Sequence, residues 1–348
     1  MDRQPVVAVT IGDVAGIGPE VVAKALAHAE VRESCCPLVI GDLRVFIDPK
    51  FAAPFDDLVP VESVDHPDGG VQDVCASGGV PLLDLHNVRP GEIPIGEISA
   101  VAGGAAVAYV LKAAELAMAG RVDAVATAPL NKEAMRLAGY HYIGHTEILT
   151  ELTEAAHVTT MLATPGLRVT HVTRHIPFHK IAPQITTARV LETIVITYDG
   201  MRNLGYAHPR LAVAGLNPHN GEGGLLGREE LDEIAPAVAL AQARGIDAQG
   251  PIPADSVFFQ AIRGDYDAVV TMYHDQGHIA VKTHGFEKSI TITLGLPIIR
   301  TSADHGTAFD IAGKGIAAED SIVAAIVEAA LMARQRRQLA ADANILAG

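Results

Sequence analysis

The stretch Val6-Val7-Ala8-Val9-Thr10-Ile11-Gly12-Asp13-Val14-Ala15-Gly16-Ile17-Gly18-Pro19-Glu20 decides the fold of this chain. Its first part, Val6–Ile11, is a run of β-branched and other apolar residues, which predicts a strand buried on both faces. A glycine-rich loop follows, and Pro19 then stands in the first turn of a predicted helix, Pro19–His28. A strand, a loop and a helix in this order form the first half of a βαβ unit.

The same alternation continues through the 348 residues, which predicts a mostly parallel, doubly wound α/β sheet. Only Thr164-Pro165-Gly166, between two apolar runs, signals a hairpin. A chain this long exceeds the size of a single core, so two domains or one large two-lobed unit are expected. The polar segment Val61–Gly79 is predicted to be a loop or an insertion. The other predicted strands are Pro37–Ile40, Ala124–Ala128, Val158–Ala163, Leu167–Thr173, Arg210–Leu216, Asp267–Met272 and Ser289–Leu294, and the other helices are Glu97–Ala119, Thr187–Leu204, Arg228–Ala243 and Ser321–Gln338.

Composition excludes several classes of protein. The net charge is −15 and the chain has no tryptophan, so neither a nucleic-acid surface nor an anionic-membrane surface is expected. Its three cysteines, Cys35, Cys36 and Cys75, are odd in number and lack metal-ligand spacing, which favours a reducing cytoplasm. The uncharged stretch Ile98–Leu111 is expected to be too short to span a bilayer.

Three histidines each follow an apolar strand at the point where a loop begins: His175, His219 and His274. In an open parallel sheet that place is the edge where ligands bind. Three neutral imidazoles with open positions left over would bind a divalent metal ion together with a substrate. The alternative is that each is a capped or solvated side chain, and four further histidines are rival ligands: His171, His179, His278 and His284.

Other segments have two interpretations each. The loop Gly12–Glu20 either binds an anion at a helix N-terminus or is a plain tight turn. His145 and Thr146 lie at a predicted helix start, where Thr146 is either a ligand-binding hydroxyl or an N-cap. Lys282 and Arg300 are either cations of a site or solvated surface residues. The polar run from Arg300 to Ala308 is typical of a functional connection.

With these residues in view, the chain resembles the 4-hydroxythreonine-4-phosphate dehydrogenase family of vitamin B6 synthesis, including its relatives that act on sugar-acid phosphates. The ordered blocks that carry the resemblance run over nearly the whole chain: Gly12–Glu20, Gly144-His145-Thr146-Glu147, Leu216-Asn217-Pro218-His219, Gly221-Glu222-Gly223-Gly224, Pro253-Ala254-Asp255-Ser256, Tyr273-His274-Asp275-Gln276-Gly277 and Gly306-Thr307-Ala308.

The resemblance implies a homodimer of two α/β/α lobes like those of isocitrate and isopropylmalate dehydrogenases, with the active site in the cleft and near the dimer interface. On this basis we expect residues 1–128 with 305–348 in the first lobe and 129–304, with the metal and substrate residues, in the second. It implies NAD as the oxidant and one divalent metal ion (Zn²⁺, Mg²⁺, Mn²⁺ or Co²⁺) on His175, His219 and His274. It implies substrate contacts from His145, Thr146, Lys282 and Arg300. The substrate would be a small phosphorylated hydroxy acid, in a pyridoxine-forming or a catabolic pathway.

Thr291 departs from the pattern of the family, which usually has an asparagine substrate contact at this place. Threonine cannot present an amide donor and acceptor together. The family resemblance implies oxidation and decarboxylation of a 4-phosphorylated 3-hydroxy acid of the 4-hydroxythreonine 4-phosphate type. The departure at Thr291 points instead to the alternatives, which are D-erythronate or D-threonate 4-phosphate, or a cis-dihydrodiol of an aromatic acid.

Two residues next to the proposed metal are expected to be catalytic. Lys282 either moves the hydroxyl proton or pairs with a substrate anion. Asp275 is either an orienting partner of His274 or an additional metal ligand. Two rival classes are a phosphate acyltransferase, which needs no nicotinamide, and a sensor that binds a small molecule without turnover.

Overall fold

The computed structural model describes residues 3–61 and 70–347. The chain divides into two compact units: unit 1 is Met1–Ala156 with Leu296–Arg337, and unit 2 is His157–Gly295 with Gln338–Gly348. Each unit is an α/β structure, so the predicted fold class is confirmed. Strands and helices are numbered below in chain order.

The sheet of unit 1 is entirely parallel. Its strands lie in the order β3-β4-β2-β1-β5-β12. Most of their side chains are buried on both faces, as the continuous apolar run Val6–Thr10 predicts. The strands are β1 Val6–Thr10, β2 Cys36–Gly41, β3 Leu58–Val61, β4 Val80–Asp84, β5 Ala124–Thr127 and β12 Arg300–Ala303, and the helices are α1 Gly18–Ala27, α2 Ala29–Ser34, α3 Leu43–Ile47, α4 Val71–Ala76, α5 Ala100–Met118, α6 Lys132–Leu137, α7 His145–Thr153 and the first part of α12 Asp320–Ala347, with 3₁₀ turns at Pro49–Phe51 and Pro90–Glu92.

The sheet of unit 2 is mixed. Its order is β11-β6-β7-β10-β8-β9, and the pairs β11–β6 and β6–β7 are antiparallel. The hairpin predicted around Thr164-Pro165-Gly166 is therefore confirmed. The strands are β6 Thr159–Thr164, β7 Leu167–Thr173, β8 Leu211–Ala214, β9 Ala248–Ile252, β10 Ala268–Tyr273 and β11 Ile290–Leu294, and the helices are α8 Thr187–Asn203, α9 Ala235–Gln242, α10 Ala254–Ile262 and α11 His274–Gly285, with a π-helical segment at Glu230–Ile234 and 3₁₀ turns at Phe178–Lys180, Ala182–Gln184 and Pro218–Gly224.

Two local predictions are wrong in part. The segment Val61–Gly79 contains the helix α4, while its residues 62–69 lie outside the described part of the chain. The polar run that begins at Arg300 is not only a connection, since Arg300–Ala303 is the strand β12. The side chains of Arg300, Thr301 and Ser302 are polar but buried, and each makes a hydrogen bond within unit 1. A hydropathy pattern does not reveal a strand of this kind.

Most of the apolar stretch Ile98–Leu111 belongs to helix α5, Ala100–Met118, which lies within the predicted helix Glu97–Ala119. Helix α5 has 19 residues and is long and apolar enough, by length and composition, to cross a membrane. However, 56% of its most apolar window is buried inside the chain. Gly103 allows helix α6 to approach closely, since a Cβ atom there would lie 2.3 Å from the carbonyl oxygen of Ala134. These contacts are those of a core helix in unit 1.

Two of the three cysteines are joined, contrary to the expectation of reduced thiols. Cys36 in β2 and Cys75 in α4 form a disulfide, with their Cα atoms 5.7 Å apart. Cys35 stays a buried thiol, and burial raises its pKa to about 12. The pairing depends on the packing of α4 against β2, which the sequence spacing of 39 residues does not show.

The loop between β1 and α1 is a buried turn. The N–H groups of Asp13 and Ile17 donate to the carbonyls of Pro129 and Thr307, at 2.9 and 3.0 Å. The N–H of Ala15 donates to Oδ1 of Asp13, at 2.9 Å. Because these donors are already bonded within the protein, the structure favours the tight-turn interpretation over an anion site.

Asp13→Asn is expected to stabilise the chain at neutral pH. Burial raises the pKa of the Asp13 carboxyl to about 6, against about 3.9 in an unfolded chain. The stability that proton binding contributes is full below about pH 4 and is lost as pH rises through 6. Asparagine keeps the acceptor for Ala15 and never ionises, so the variant should gain roughly 2–3 kcal/mol at pH 7.5 and roughly half as much at pH 5. Thermal melts at both pH values measure this difference, and an equal gain at the two would contradict it.

Candidate functional site

Two of the predicted metal histidines lie side by side at the end of the sheet of unit 2. Strands β7 and β10 are parallel neighbours with Thr173 and Tyr273 in register, so the residues that follow them emerge together. The ring centroids of His175 and His274 are 5.4 Å apart. The structure therefore brings together two histidines that are 99 residues apart in the chain.

The third histidine, His219, follows the neighbouring strand β8 and lines an adjoining cavity. A cavity of about 580 Å³ is lined by apolar side chains and by the polar residues Asn217, His219, Asp255, Tyr273 and Gln276. A second cavity, of about 260 Å³, is lined by His175, His274 and Arg174. Both cavities contain Phe178, Ile181 and Tyr273 in their walls.

The donor chemistry of these histidines fits a divalent metal ion. Nδ1 of His274 lies 2.7 Å from Oδ1 of Asp275, and Nδ1 of His219 lies 2.9 Å from Oε1 of Glu222. A carboxylate on Nδ1 leaves Nε2 as the available lone pair, an arrangement that is usual for metal-binding histidines. Within residues 3–61 and 70–347, no three His, Cys, Asp or Glu side chains are grouped closely enough to hold a metal ion. The metal-ligand role of the three histidines therefore stays a prediction.

The loop that carries His219 has an unusual backbone. His219, Asn220, Gly221, Glu222 and Gly223 are consecutive residues in the left-handed region, with φ between 46° and 73°. For residues other than glycine this conformation costs about 1–2 kcal/mol each. A segment of this kind persists only where its surroundings hold it in place.

Glu230 holds this loop. The residue is 2% exposed, and its carboxylate accepts hydrogen bonds from the N–H groups of Leu216 and Asn217, at 2.8 and 2.6 Å. It also accepts one from Nδ2 of Asn217, at 3.0 Å. Asn220 adds a bond from its Nδ2 to the carbonyl of Pro251, at 2.7 Å. The glycine-rich loop is therefore fixed at its base.

The rival histidines have other surroundings. His171 is buried in β7, and desolvation, together with the nearby His278, lowers its pKa to about 3, so it is neutral. His278 lies 3.2 Å from His171, nitrogen to nitrogen. His284 is exposed and contacts the carbonyl of Pro165, and His179 is exposed in a 3₁₀ turn.

Lys282 and Thr291, both predicted to contact substrate, also belong to unit 2. Lys282 is in helix α11, and its Nζ lies 4.9 Å from the centre of the Phe286 ring. Thr291 is the second residue of β11, opposite Leu162 of β6, and is partly exposed. Lys282 is therefore a partly buried cation over an aromatic ring.

The remaining predicted substrate residues form a cluster in unit 1. His145 and Thr146 open helix α7, whose N-cap is Gly144, so Thr146 is not an N-cap. Arg300 opens β12, is 4% exposed and donates from Nη2 to Oγ1 of Thr127, at 2.7 Å. Arg300 is therefore not a solvated surface cation.

Burial changes the ionisation of this cluster. Desolvation and the nearby Arg300 lower the pKa of His145 well below its usual value, so that its imidazole is neutral. Its Nε2 is buried and has no hydrogen-bond partner in the part of the chain that the structure describes. Desolvation lowers the pKa of Arg300 to about 9, which still leaves it charged at neutral pH. A buried cation beside a neutral imidazole suits an anionic group of a ligand.

Three residues of these clusters were not identified from the sequence. Thr127 is a single polar residue in an apolar run, Glu230 is one of several charged residues between Arg228 and Glu233, and Arg174 precedes His175 without any distinguishing pattern. Nothing in the sequence separates Glu230 from its charged neighbours until the loop is seen to fold back on it. None of the three could have been found by spacing.

Comparison with known proteins identifies the family. The family model described as pyridoxal phosphate biosynthetic protein PdxA matches residues 33–329. The chain belongs to the PdxA family. The resemblance predicted from the sequence is thereby confirmed, and the chain is an oxidoreductase that acts on a CH–OH group.

Several members of the PdxA family are similar over their whole length. A D-threonate 4-phosphate dehydrogenase from Cupriavidus necator is 46% identical and covers 96% of this chain and 99% of its own. The crystal structure of a 4-hydroxythreonine-4-phosphate dehydrogenase from Burkholderia phymatum is 45% identical, with a TM-score of 0.83 and coverage of 95% and 99%. A terephthalate cis-dihydrodiol dehydrogenase from Burkholderia xenovorans is 31% identical, with a TM-score of 0.64 and coverage of 94% and 98%.

Proposed function

We propose that this chain oxidises and decarboxylates a 4-phosphorylated four-carbon 3-hydroxy acid with NAD, and that its substrate belongs to the D-threonate or D-erythronate 4-phosphate class. The observation that carries the proposal is the pair of carboxylate-bound histidines, His274 and His219, next to strand ends of a PdxA-family chain. The full-length similarity to a D-threonate 4-phosphate dehydrogenase supports the substrate class. 4-Hydroxythreonine 4-phosphate is the second candidate, because a solved relative of similar identity carries that name.

A divalent metal ion on His175, His219 and His274 would supply Lewis acidity, which lowers the pKa of the substrate alcohol. Asp275 and Glu222 orient two of these imidazoles through Nδ1. Asp275 is thus proposed as an orienting residue.

Lys282 is proposed to take the proton of the 3-hydroxyl group at Nζ while hydride leaves C3 for the nicotinamide. The product is a 3-oxo acid, whose bond from C2 to the carboxylate then breaks to give CO₂ and an enol. A proton returned to C2 completes the ketone. The aromatic face of Phe286, 4.9 Å from Nζ, would favour the protonated form of Lys282 that this transfer produces.

His145, Thr146 and Arg300 are proposed to bind the phosphate or carboxylate of the substrate. The guanidinium of Arg300 offers a planar pair of donors that matches either anion. The neutral His145 donates or accepts without adding charge. The chain is further proposed to act in the cytoplasm and to form a homodimer. Light scattering of the purified protein would test the homodimer.

The direct test is turnover. The purified chain is mixed with NAD and Zn²⁺, Mg²⁺, Mn²⁺ or Co²⁺, and with D-threonate 4-phosphate, D-erythronate 4-phosphate, 4-hydroxythreonine 4-phosphate and a terephthalate cis-dihydrodiol. Unphosphorylated D-threonate is the matched control. NADH and CO₂ should form in equal amounts from one of the first two compounds. NADH without CO₂ would refute the decarboxylation, and no NADH from any compound would refute the oxidation.

Calorimetry separates the rival classes. An acyltransferase would not bind NAD. A sensor would bind a ligand of the panel without turning it over. The proposed dehydrogenase requires both NAD binding and turnover.

Thr291→Asn is expected to shift the substrate preference. Asparagine adds an amide donor and acceptor that can hydrogen-bond to a substrate amine. A site built around such a group discriminates strongly between substrates with and without it. The ratio of kcat/KM for 4-hydroxythreonine 4-phosphate to that for D-threonate 4-phosphate should rise roughly tenfold or more. Thr291→Val, which removes the hydroxyl only, is the control. An unchanged ratio in the asparagine variant would show that Thr291 does not contact the part of the substrate that differs.

A further inference from the structure

Two histidines that the proposed chemistry does not use pack directly behind His274. The ring of His278, one helical turn further along α11, stacks on that of His274, with centroids 3.6 Å apart and planes 13° apart. Nδ1 of His278 lies 3.2 Å from Nε2 of His171 and 3.1 Å from the carbonyl oxygen of His274. The three rings form a continuous row from the core to the candidate metal ligand.

His171 anchors this row. It lies within β7 and is 4% exposed, so its ring is fixed by the surrounding core. Gly277 makes room for it, because a Cβ atom at that position would lie 2.6 Å from Nε2 of His171. The two imidazole nitrogens at 3.2 Å are a donor and an acceptor, one of which carries the hydrogen.

Burying two imidazoles here costs desolvation free energy. Removing two polar rings from water is favourable only if their hydrogen bonds are made, and apolar side chains of similar volume would pack without that requirement. The imidazoles add a defined orientation. The hydrogen bond to His171 and the stacking on His274 together fix the plane of the His278 ring. An apolar pair would leave that plane less well defined.

We propose that His278, held by His171, is a positioning residue that fixes the orientation of the His274 imidazole. Asp275 holds Nδ1 of His274, and His278 covers one face of its ring. Rotation about the bond from Cβ to the ring is then restricted, and Nε2 is presented in one direction. The inference rests on the proposed function insofar as His274 binds a metal ion, but the orientation itself is a property of the metal-free chain.

The experiment compares His278→Leu and the double variant His171→Leu/His278→Leu with the wild type, as full-length protein. Calorimetry with Zn²⁺ and with Co²⁺ measures the metal dissociation constant. We expect it to rise about 10- to 100-fold in both variants, as is usual when a partner of a ligand histidine is lost. The matched control is His284→Leu on the same helix, whose exposed ring contacts Pro165 and should leave the affinity unchanged.

A second readout needs no metal. In ¹⁵N-labelled, metal-free wild type, the His274 ring should give one sharp set of signals with the hydrogen on Nδ1. In His278→Leu the signals should broaden or average between ring orientations. The double variant should melt no lower than the wild type, because it replaces two buried polar rings by apolar ones, so a loss of affinity in it is not a loss of folding.

The outcomes separate the two hypotheses. Unchanged metal affinity and unchanged ring signals in a folded His278→Leu protein would overturn the positioning role. If the wild type binds neither metal ion, the proposed metal site fails, while the ring signals of the metal-free chain still decide whether His278 orients His274.

Discussion

His219→Ala should abolish turnover and the binding of metal while leaving the fold intact. If His219 supplies one of three metal ligands, its loss removes the Lewis acid, and kcat should fall roughly 10³-fold or more, which corresponds to about 4 kcal/mol. The side chain is 67% exposed, so its removal should change the free energy of unfolding by no more than about 0.5 kcal/mol. Metal content by elemental analysis, NADH formation and thermal melting measure the three quantities.

His208→Ala is the matched control for this experiment. His208 is exposed in the loop before β8, so the same chemical change is made outside the candidate site. It should keep both metal and activity. Undiminished NADH formation by the His219 variant would show that the assigned metal role is wrong.

Arg300→Met should weaken substrate binding strongly without destabilising the chain. Arg300 is the buried cation of the cluster in unit 1, and truncation of one partner of a buried charge pair costs about 2–5 kcal/mol. We therefore expect kcat/KM to fall between roughly 30- and 5,000-fold, mostly through KM. Because burial lowers the pKa of Arg300 to about 9, its charge is costly in the folded chain, and a methionine of similar size should melt at the same or a higher temperature.

Arg300→Lys separates charge from geometry. Lysine restores a positive charge but not the planar pair of donors, so it should recover only part of the lost kcat/KM. A methionine variant with an unchanged KM would contradict the binding role. A large drop in melting temperature would show instead that Arg300 serves the fold, through Thr127 and its other contacts.

The sequence predicted secondary structure best where a run of apolar residues was continuous. The apolar runs over Val6–Thr10 and Ala268–Tyr273 predicted the parallel strands, because strands buried on both faces need apolar side chains at every position. The turn at Thr164-Pro165-Gly166 predicted the antiparallel pair for a local steric reason. The short helices were missed, since α4 and α6 have too few turns to show a helical period.

The candidate site was predictable only in part. Position after a parallel strand was enough to expect His175 and His274 near each other, because β7 and β10 are neighbours. The residues that hold these histidines and the His219 loop in place could not be inferred from position along the chain. The packing of His171 under His278, and of Glu230 under the His219 loop, depends on contacts between residues 13 to 107 positions apart. Such contacts follow from the completed fold rather than from local spacing.

The left-handed turn at His219–Gly223 has a consequence for protein engineering. Three of its residues, His219, Asn220 and Glu222, occupy a backbone region that glycine would adopt more easily. A screen for heat-resistant variants would therefore select substitutions in this turn, such as Asn220→Gly, which relieves the backbone strain of a left-handed φ. The same change removes the amide that ties the turn to Pro251. A substitution that raises heat resistance in this turn would thus leave the His219 imidazole less firmly held.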